Sequence, residues 1–448
     1  MRKPSGQVGL WEIASHGVIG IAPRPCLPSN ASRFPPFTMP RFFAFLASNL
    51  RWLSAGFLLT FASAFGQTWF ISLSAPFIKQ EYGLTDGSWG SLYTVATLSS
   101  AALMFWRGSA ADFVPLSRLA GGTAIVFSAA AAGMALGRST WLLLLALFLL
   151  RFCGQGMFGH IAMTAMGRWF IAKRGQAIAV ANLGYPASEI LLATTTIFVI
   201  GSIGWRGTWL LASGLILVGM TPALVFLLNA TRTAEQLDAA SLRTGLGGRH
   251  WHRKDAASHW LLPALLPAML TPGFIGTVVF FHQTHVAEVK GWSLVQMAPA
   301  FPALAVMGVI SSFTAGWAAD RFGVAKLLPV LLVPMGIGIG IVGPSSSFYV
   351  WYFTLGLMGI TMGIASALWG VLLPVVYGTE HLGAIRSLAV TIMVFSTAIG
   401  PGLTGILIDR GIDFPTQCHA LGAWCLAASV GALAIERRLS REIALDAA

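Results

Sequence analysis

Two charged side chains lie deep in apolar sequence, where a charge is costly. Arg151 is the third residue of LLRFCGQGMFGH, within an apolar run over 141–166, and Glu189 lies in ANLGYPASEILL, within a second run over 175–200. An arginine stays charged, and its planar fork of donors suits a carboxylate held by two hydrogen bonds. A carboxyl group away from water takes up and releases a proton as its surroundings change. At 1.5 Å per residue both lie roughly 15 Å from the same face of a helical layer, so three readings stay open. They form a buried pair that holds two helices together, they divide anion binding and proton carriage between them, or each has another partner. Gln67, Trp69, Tyr93, Gln155, His282 and Gln283 also interrupt apolar runs. Each is a candidate ligand to a solute, and each is equally a residue type that ties helices together by hydrogen bonds. His282 and His285 share a helix face, but no metal site is expected from them.

The elements that must position these residues are membrane helices. Hydrophobic residues make up 56% of the 448-residue chain and charged ones 10%, with mean hydropathy +0.73, whereas soluble domains carry about a quarter charged residues. Apolar stretches long enough to cross a core of about 30 Å recur over 54–79, 88–106, 119–137, 141–166, 175–200, 208–229, 260–285, 293–318, 325–343, 347–375, 382–408 and 416–436. The expected fold class is therefore all-α and integral to the membrane, with twelve transmembrane helices. The four cysteines, Cys26, Cys153, Cys418 and Cys425, form no CxxC pair and read as packing residues.

Lysine and arginine set the orientation. With the termini on the cytoplasmic side, 22 of the 28 basic residues face the cytoplasm, and five, Lys79, Arg138, Arg206, Lys290 and Arg410, face away; Arg151 is the last. The expected location is the cell membrane, multi-pass, with both termini cytoplasmic. The net charge of +12 follows from loops that face an anionic leaflet and calls for no nucleic acid. Residues 1–50 read as a disordered or loosely attached segment, since 1–40 hold seven prolines and no long apolar run, and Met39 is a candidate start. A polar stretch over 230–259 divides the chain into bundles of six helices at 51–229 and 260–438, followed by a tail at 439–448.

A weak repeat supports that division. GSAAD, ending at Asp112, follows the second span, and GWAADRFGVAK, from Gly316 to Lys326, follows the eighth. The second copy resembles the signature of the major facilitator superfamily, roughly G-x-x-x-D-R-x-G-x-[RK], and the first has lost its Arg-x-Gly. The resemblance implies two pseudo-symmetric six-helix bundles around a central solute site, alternating access, and gating loops that use Asp112, Gly316, Asp320, Arg321, Gly323 and Lys326. In that family an arginine in the fourth helix is followed by close glycines, as Arg151 is by Gly154 and Gly156. The fifth helix keeps Gly184 and Pro186 of the drug exporters' kink motif but has Ser188 and Glu189 for its final glycines, which argues against drug antiport. Gly400-Pro401-Gly402 suits a kink in the eleventh helix.

The first and seventh spans are similar to those of the monocarboxylate and oxalate-formate branch, although the eighth, from Ser293 to Trp317, carries no charge. The resemblance implies a secondary transporter, usually monomeric, of a small organic anion moved with a proton or exchanged for a counter-anion. The alternative is proton-coupled export of a drug-like or neutral metabolite. No GxSxG, HExxH, Walker loop or dinucleotide fingerprint is present, so an enzyme, a catalytic residue, a cofactor and a metal are not expected.

Overall fold

The computed structural model describes residues 39–107, 110–170, 173–229, 244–378 and 380–447. The chain falls into two units, Met1–Ser48 and Asn49–Ala448. In the first, Met39–Ser48 form a helix, so regular structure reaches into the segment expected to lack it. Residues 1–38 of the N-terminal segment and 230–243 of the polar stretch after the sixth span lie outside the described residues.

All regular elements among the described residues of the second unit are helices. Its first span is broken: Leu50–Ala62 runs into a tight turn at Ser63–Gly66, restarts as Thr68–Ser72, and ends in Ala75–Tyr82 after a bend of 62°. The second and third are Asp86–Arg107 and Leu116–Leu136. The fourth comprises Thr140–Leu150, a wider π-helical stretch Arg151–Phe158, and Gly159–Trp169. The fifth and sixth run together from Gly184 to Leu228 and are separated by Gly204 at φ 72°, a conformation open to glycine because it has no Cβ. The seventh is Leu266–Phe281 with Gln283–Lys290, and the eighth centres on Phe301–Phe322. The ninth centres on Val333–Gly340, followed by Tyr349–Tyr377, Leu382–Asp409 and Phe414–Ala447.

Eight described helices are long and apolar enough to cross a membrane, or nine when the bent first pair counts as one. Three features separate that count from twelve. Gly175–Leu228 is one apolar stretch holding two expected spans. Asp86–Arg107 is diluted by serine, threonine and glycine, and the ninth span is short and interrupted. Small residues in such helices let neighbouring helices come close.

One crossing shows how tight this packing is. A Cβ on Gly66 would lie 2.3 Å from the Leu150 carbonyl oxygen and 2.9 Å from the Gly154 Cα, so the first and fourth spans touch backbone to backbone. Gly66→Ala is expected to lower the thermal midpoint of the purified protein, because overpacking against backbone costs about 1–3 kcal/mol. An unchanged midpoint in a fluorescence melt would contradict that crossing.

Candidate functional site

The break in the first span and the π-helical stretch of the fourth meet at Arg151. Gln67 is extended at ψ 151°, which takes nearby carbonyls out of the helical ladder. Arg151 Nη1 donates to the Gly66 carbonyl at 3.1 Å and to Thr68 Oγ1 at 3.3 Å. Thr68 Oγ1 lies 2.7 Å from the Tyr93 hydroxyl, and the guanidinium carbon sits 5.1 Å from the centre of the Tyr93 ring. Arg151 is 2% exposed, and its Nε is buried with no hydrogen-bond partner.

The pair with Glu189, one of the three open readings, is not formed among the described residues. Glu189 is half-buried on the fifth span, and no hydrogen bond or ion pair joins it to a described residue, Arg151 included. The magnitudes make the arrangement informative. Burying an unpaired ion costs several kcal/mol even after relaxation. Two hydrogen bonds to a charged group return about 1.5–3 kcal/mol each and a desolvated cation–π contact about 2. The orphaned Nε takes back about 1–3. The guanidinium is held in place, but its charge is not answered by any described acid.

The other sequence candidates divide around this point. Trp69 is buried between Phe70 and Phe301, 5.6 and 5.5 Å between ring centres. Gln283 Nε2, on the seventh span, donates to the Trp69 carbonyl at 3.2 Å and to Ser72 Oγ at 2.7 Å. Phe281 lies against Tyr93 at 4.8 Å. Arg151, Tyr93, Trp69 and Gln283 therefore form one continuous layer across the first six and last six spans. Gln67 reaches only Ser63 Oγ, at 3.4 Å. Gln155 is half-buried, with no hydrogen bond to a described side chain. His282 turns away, its Nε2 2.8 Å from Thr404 Oγ1. The Thr404 hydroxyl donates to the Gly400 carbonyl, so it accepts from the imidazole.

The two halves meet on the side that carries Asp86. Asp409, at the end of the eleventh span, accepts from Thr85 Oγ1 at 2.7 Å and from the Gly87 amide at 3.1 Å. Deeper in, Thr94 Oγ1 donates to the Ala398 carbonyl at 2.7 Å and accepts from the Gly402 amide at 3.2 Å. Asp86 is 3.0 Å from Lys79 Nζ and 3.6 Å from His285 Nδ1. At the rim of the same side, Arg206 hydrogen-bonds Glu81, with Nη2 2.6 Å from Oε1. Sequence reasoning missed Gly66, Thr68, Thr85, Asp86 and Asp409. The polar interruption SAFGQT in an otherwise apolar helix was a signal for Gly66 and Thr68.

On the opposite side the expected gating residues stand apart. Asp320, Arg321, Gly323 and Lys326 are exposed, and Arg321 lies over the rings of Trp317 and Phe322 at 5.7 and 5.8 Å. None of Asp320, Arg321 and Lys326 forms an ion pair with a described residue. Gly316 is half-buried, and Gly323 takes φ 93° where the eighth span stops. Asp112 belongs to the helix Ala110–Phe113, but its side chain lies outside the described ones.

A helical bundle with a broken span and a buried cation is an arrangement that many secondary transporters share. Residues 56–401 match the Major Facilitator Superfamily, and the chain belongs to that family. Its fold is that of two pseudo-symmetric six-helix bundles. Among curated relatives, Monocarboxylate transporter 11 of Mus musculus is 26% identical over 388 residues, covering 82% of this chain and 83% of its own. The Homo sapiens protein of the same name is 24% identical over 384 residues, covering 82% and 79%. Among solved structures, a D-xylose-proton symporter superposes with a TM-score of 0.63 at 14% identity, covering 87% of this chain and 97% of its own. A bacterial homolog of the human lysosomal transporter Spinster, inward-facing and unoccupied, gives 0.61 at 15% identity, covering 91% and 96%. The chain is a membrane transporter rather than an enzyme.

Proposed function

We propose that this protein carries a small organic anion, a mono- or dicarboxylate, across the cell membrane by alternating access. The observation that supports it is the buried guanidinium of Arg151, which has a carbonyl, a hydroxyl and a ring as partners but no acid among the described residues. A substrate carboxylate supplies the missing charge and accepts from the donors that remain. The name of the curated relatives, monocarboxylate transporter, points the same way.

In this reading the bundles are 51–229 and 260–438, joined through 230–259. The positive-inside count puts the termini in the cytoplasm and the Asp86 side outside. The state described here is then closed to the outside, and Asp112, Asp320, Arg321 and Lys326 make their latch in the opposite state. Tyr93, Trp69 and Gln283 shape the anion site, with Gln67, Gln155 and His282 around it. Glu189, which has no hydrogen bond or ion pair to a described residue, carries the coupled proton, and the working unit is the monomer.

Uptake of radiolabelled mono- and dicarboxylates into cells, with and without a protonophore, tests this. The wild type is expected to take up at least one of them, and the protonophore to reduce accumulation. Glu189→Gln is expected to exchange anions across the membrane but not to accumulate them against a gradient. No carboxylate uptake by the wild type, at a membrane level confirmed by immunoblot, removes the substrate assignment. Full protonophore-sensitive accumulation by Glu189→Gln removes the proton role.

A further inference from the structure

The described end of the polar stretch between the bundles is built onto the last six spans. Trp251 is buried. Its amide donates to the Tyr377 carbonyl at 3.3 Å and its indole to the Leu246 carbonyl at 3.0 Å, and its ring meets that of Tyr377 edge-on at 5.4 Å. Arg249 and His252 are extended, and side chains alternate in direction along an extended chain, so burying Trp251 turns His250 and His252 outward. His252 stacks on His381, just before the eleventh span, with ring centres 4.2 Å apart. The short helix Arg253–Ser258 follows, and the apolar helix Leu261–Phe281 begins just after it. A cavity of about 490 Å³ opens here, lined by His252, Arg253, Lys254, Asp255 and His381. Neither Arg253 nor Lys254 forms an ion pair with a described acid.

We propose that this cavity binds the phosphate headgroup of an anionic phospholipid of the cytoplasmic leaflet. The cytoplasmic placement rests on the orientation given above; the site does not depend on which solute is carried.

The physical case is one of unanswered charge at headgroup level. A guanidinium fork holds two phosphate oxygens and an ammonium adds a point charge, while an imidazole offers an N–H even when neutral. The acids nearby are partly committed. Asp255 Oδ2 accepts from the His252 amide at 3.4 Å, and Glu380, beside the cavity, faces the imidazoles of His250 and His381 at 3.3 and 3.9 Å. Arg249, stacked on Trp251 at 3.8 Å, adds a further cation to the same segment. The attraction comes from these side chains and not from the helix Arg253–Ser258, which is too short to contribute a dipole of its own. Because Trp251 fixes the segment to the end of the tenth span, the walls are in place before a ligand arrives, and less order is lost on binding. A phospholipid suits the place better than a soluble phosphate. The segment leads directly into the seventh span and His381 into the eleventh, so the cavity lies where apolar helices begin, and basic pockets between spans on the cytoplasmic side hold anionic headgroups.

The test reads binding and not transport, so it stands or falls independently of the carboxylate assignment. Purified full-length protein, stripped of lipid in a neutral detergent, is titrated with dioleoyl phosphatidylglycerol and separately with dioleoyl phosphatidylcholine. Bound lipids are counted by native mass spectrometry in about 0.2 M ammonium acetate, which screens diffuse surface attraction. One phosphatidylglycerol is expected to bind about tenfold or more tightly than phosphatidylcholine. Arg253→Gln combined with Lys254→Gln is expected to abolish that preference. Arg107→Gln combined with Arg118→Gln removes as many exposed cations from the first half on the same side and is expected to leave the preference within about twofold. If the first pair yields no monodisperse protein, Lys254→Gln alone is expected to weaken phosphatidylglycerol binding by about threefold or more. A wild type that binds the two lipids equally overturns the site. So does an equal loss in both double variants, because the preference then belongs to the whole face. Displacement of bound phosphatidylglycerol by millimolar inorganic phosphate overturns the lipid assignment, because a soluble anion then fills the cavity.

Discussion

Arg151→Ala is expected to reduce carboxylate uptake by roughly thirtyfold or more at equal membrane levels. The estimate follows from what the side chain does. Truncating one partner of a buried, hydrogen-bonded charge pair costs about 2–5 kcal/mol, and each 1.4 kcal/mol is a factor of about ten. The guanidinium spends Nη1 on the Gly66 carbonyl and Thr68 and has Nη2 and Nε left for an anion. Arg151→Lys separates the two functions of the charge. An ammonium keeps the positive charge but is a compact point donor, and it cannot hold the broken first span and a bidentate carboxylate at once. It is expected to retain uptake at roughly a tenth of wild type or less, with weaker apparent affinity. A residue that merely staples the first span to the fourth behaves otherwise: its alanine variant melts earlier, yet what reaches the membrane transports normally. Uptake within about threefold of wild type in Arg151→Ala, less than 1 kcal/mol, would therefore leave Arg151 as a structural tie and remove it from the solute site.

The same residue shows how far the sequence carries. That Arg151 matters was legible, because a guanidinium in an apolar run has no neutral form to retreat to. Its partner was not. The nearest acid at matching depth was Glu189, and residue types suggested a pair, but the guanidinium instead found a backbone carbonyl exposed by the break at Gln67. A carbonyl is present at every position, so no residue type announces which one a helix break sets free. The fold was legible for a related reason: hydropathy registers lipid exposure, which most spans share. It failed partly for Asp86–Arg107, whose serines, threonines and glycines dilute the apolar signal. The meeting of His285 with Asp86 was invisible because the two lie far apart in the chain and in different halves. His285 alone suggested only a helix face shared with His282.

The glycines of the second and eleventh spans lead to the other large effect. A Cβ on Gly90 would lie 2.2 Å from the Pro401 carbonyl oxygen, 2.8 Å from its carbonyl carbon and 3.2 Å from the Gly402 Cα. These are backbone atoms of the opposite half, so no side chain can swing aside to make room. The contact is made only while the halves meet on the Asp86 side, and the cost of overpacking, about 1–3 kcal/mol, falls on that state alone. Gly90→Ala is therefore expected to shift the conformational equilibrium by about 5–150-fold without unfolding either bundle. Transport is expected to fall with it, since a cycle that visits the closed state rarely turns over slowly. With spin labels at Thr140→Cys and Ser347→Cys, exposed positions on the two halves at this side, the short distance is expected to lose population to the long one, and Gly90→Val to complete the loss. This differs from the Gly66 crossing, where both spans belong to the first half and a Cβ strains every state equally. The distinction is measurable: Gly66→Ala is expected to lower thermal stability with little change in the distance distribution, and Gly90→Ala the reverse. An unchanged distribution in Gly90→Val would mean that the second and eleventh spans do not separate during transport, and the rocking motion would have to be sought at another pair of helices.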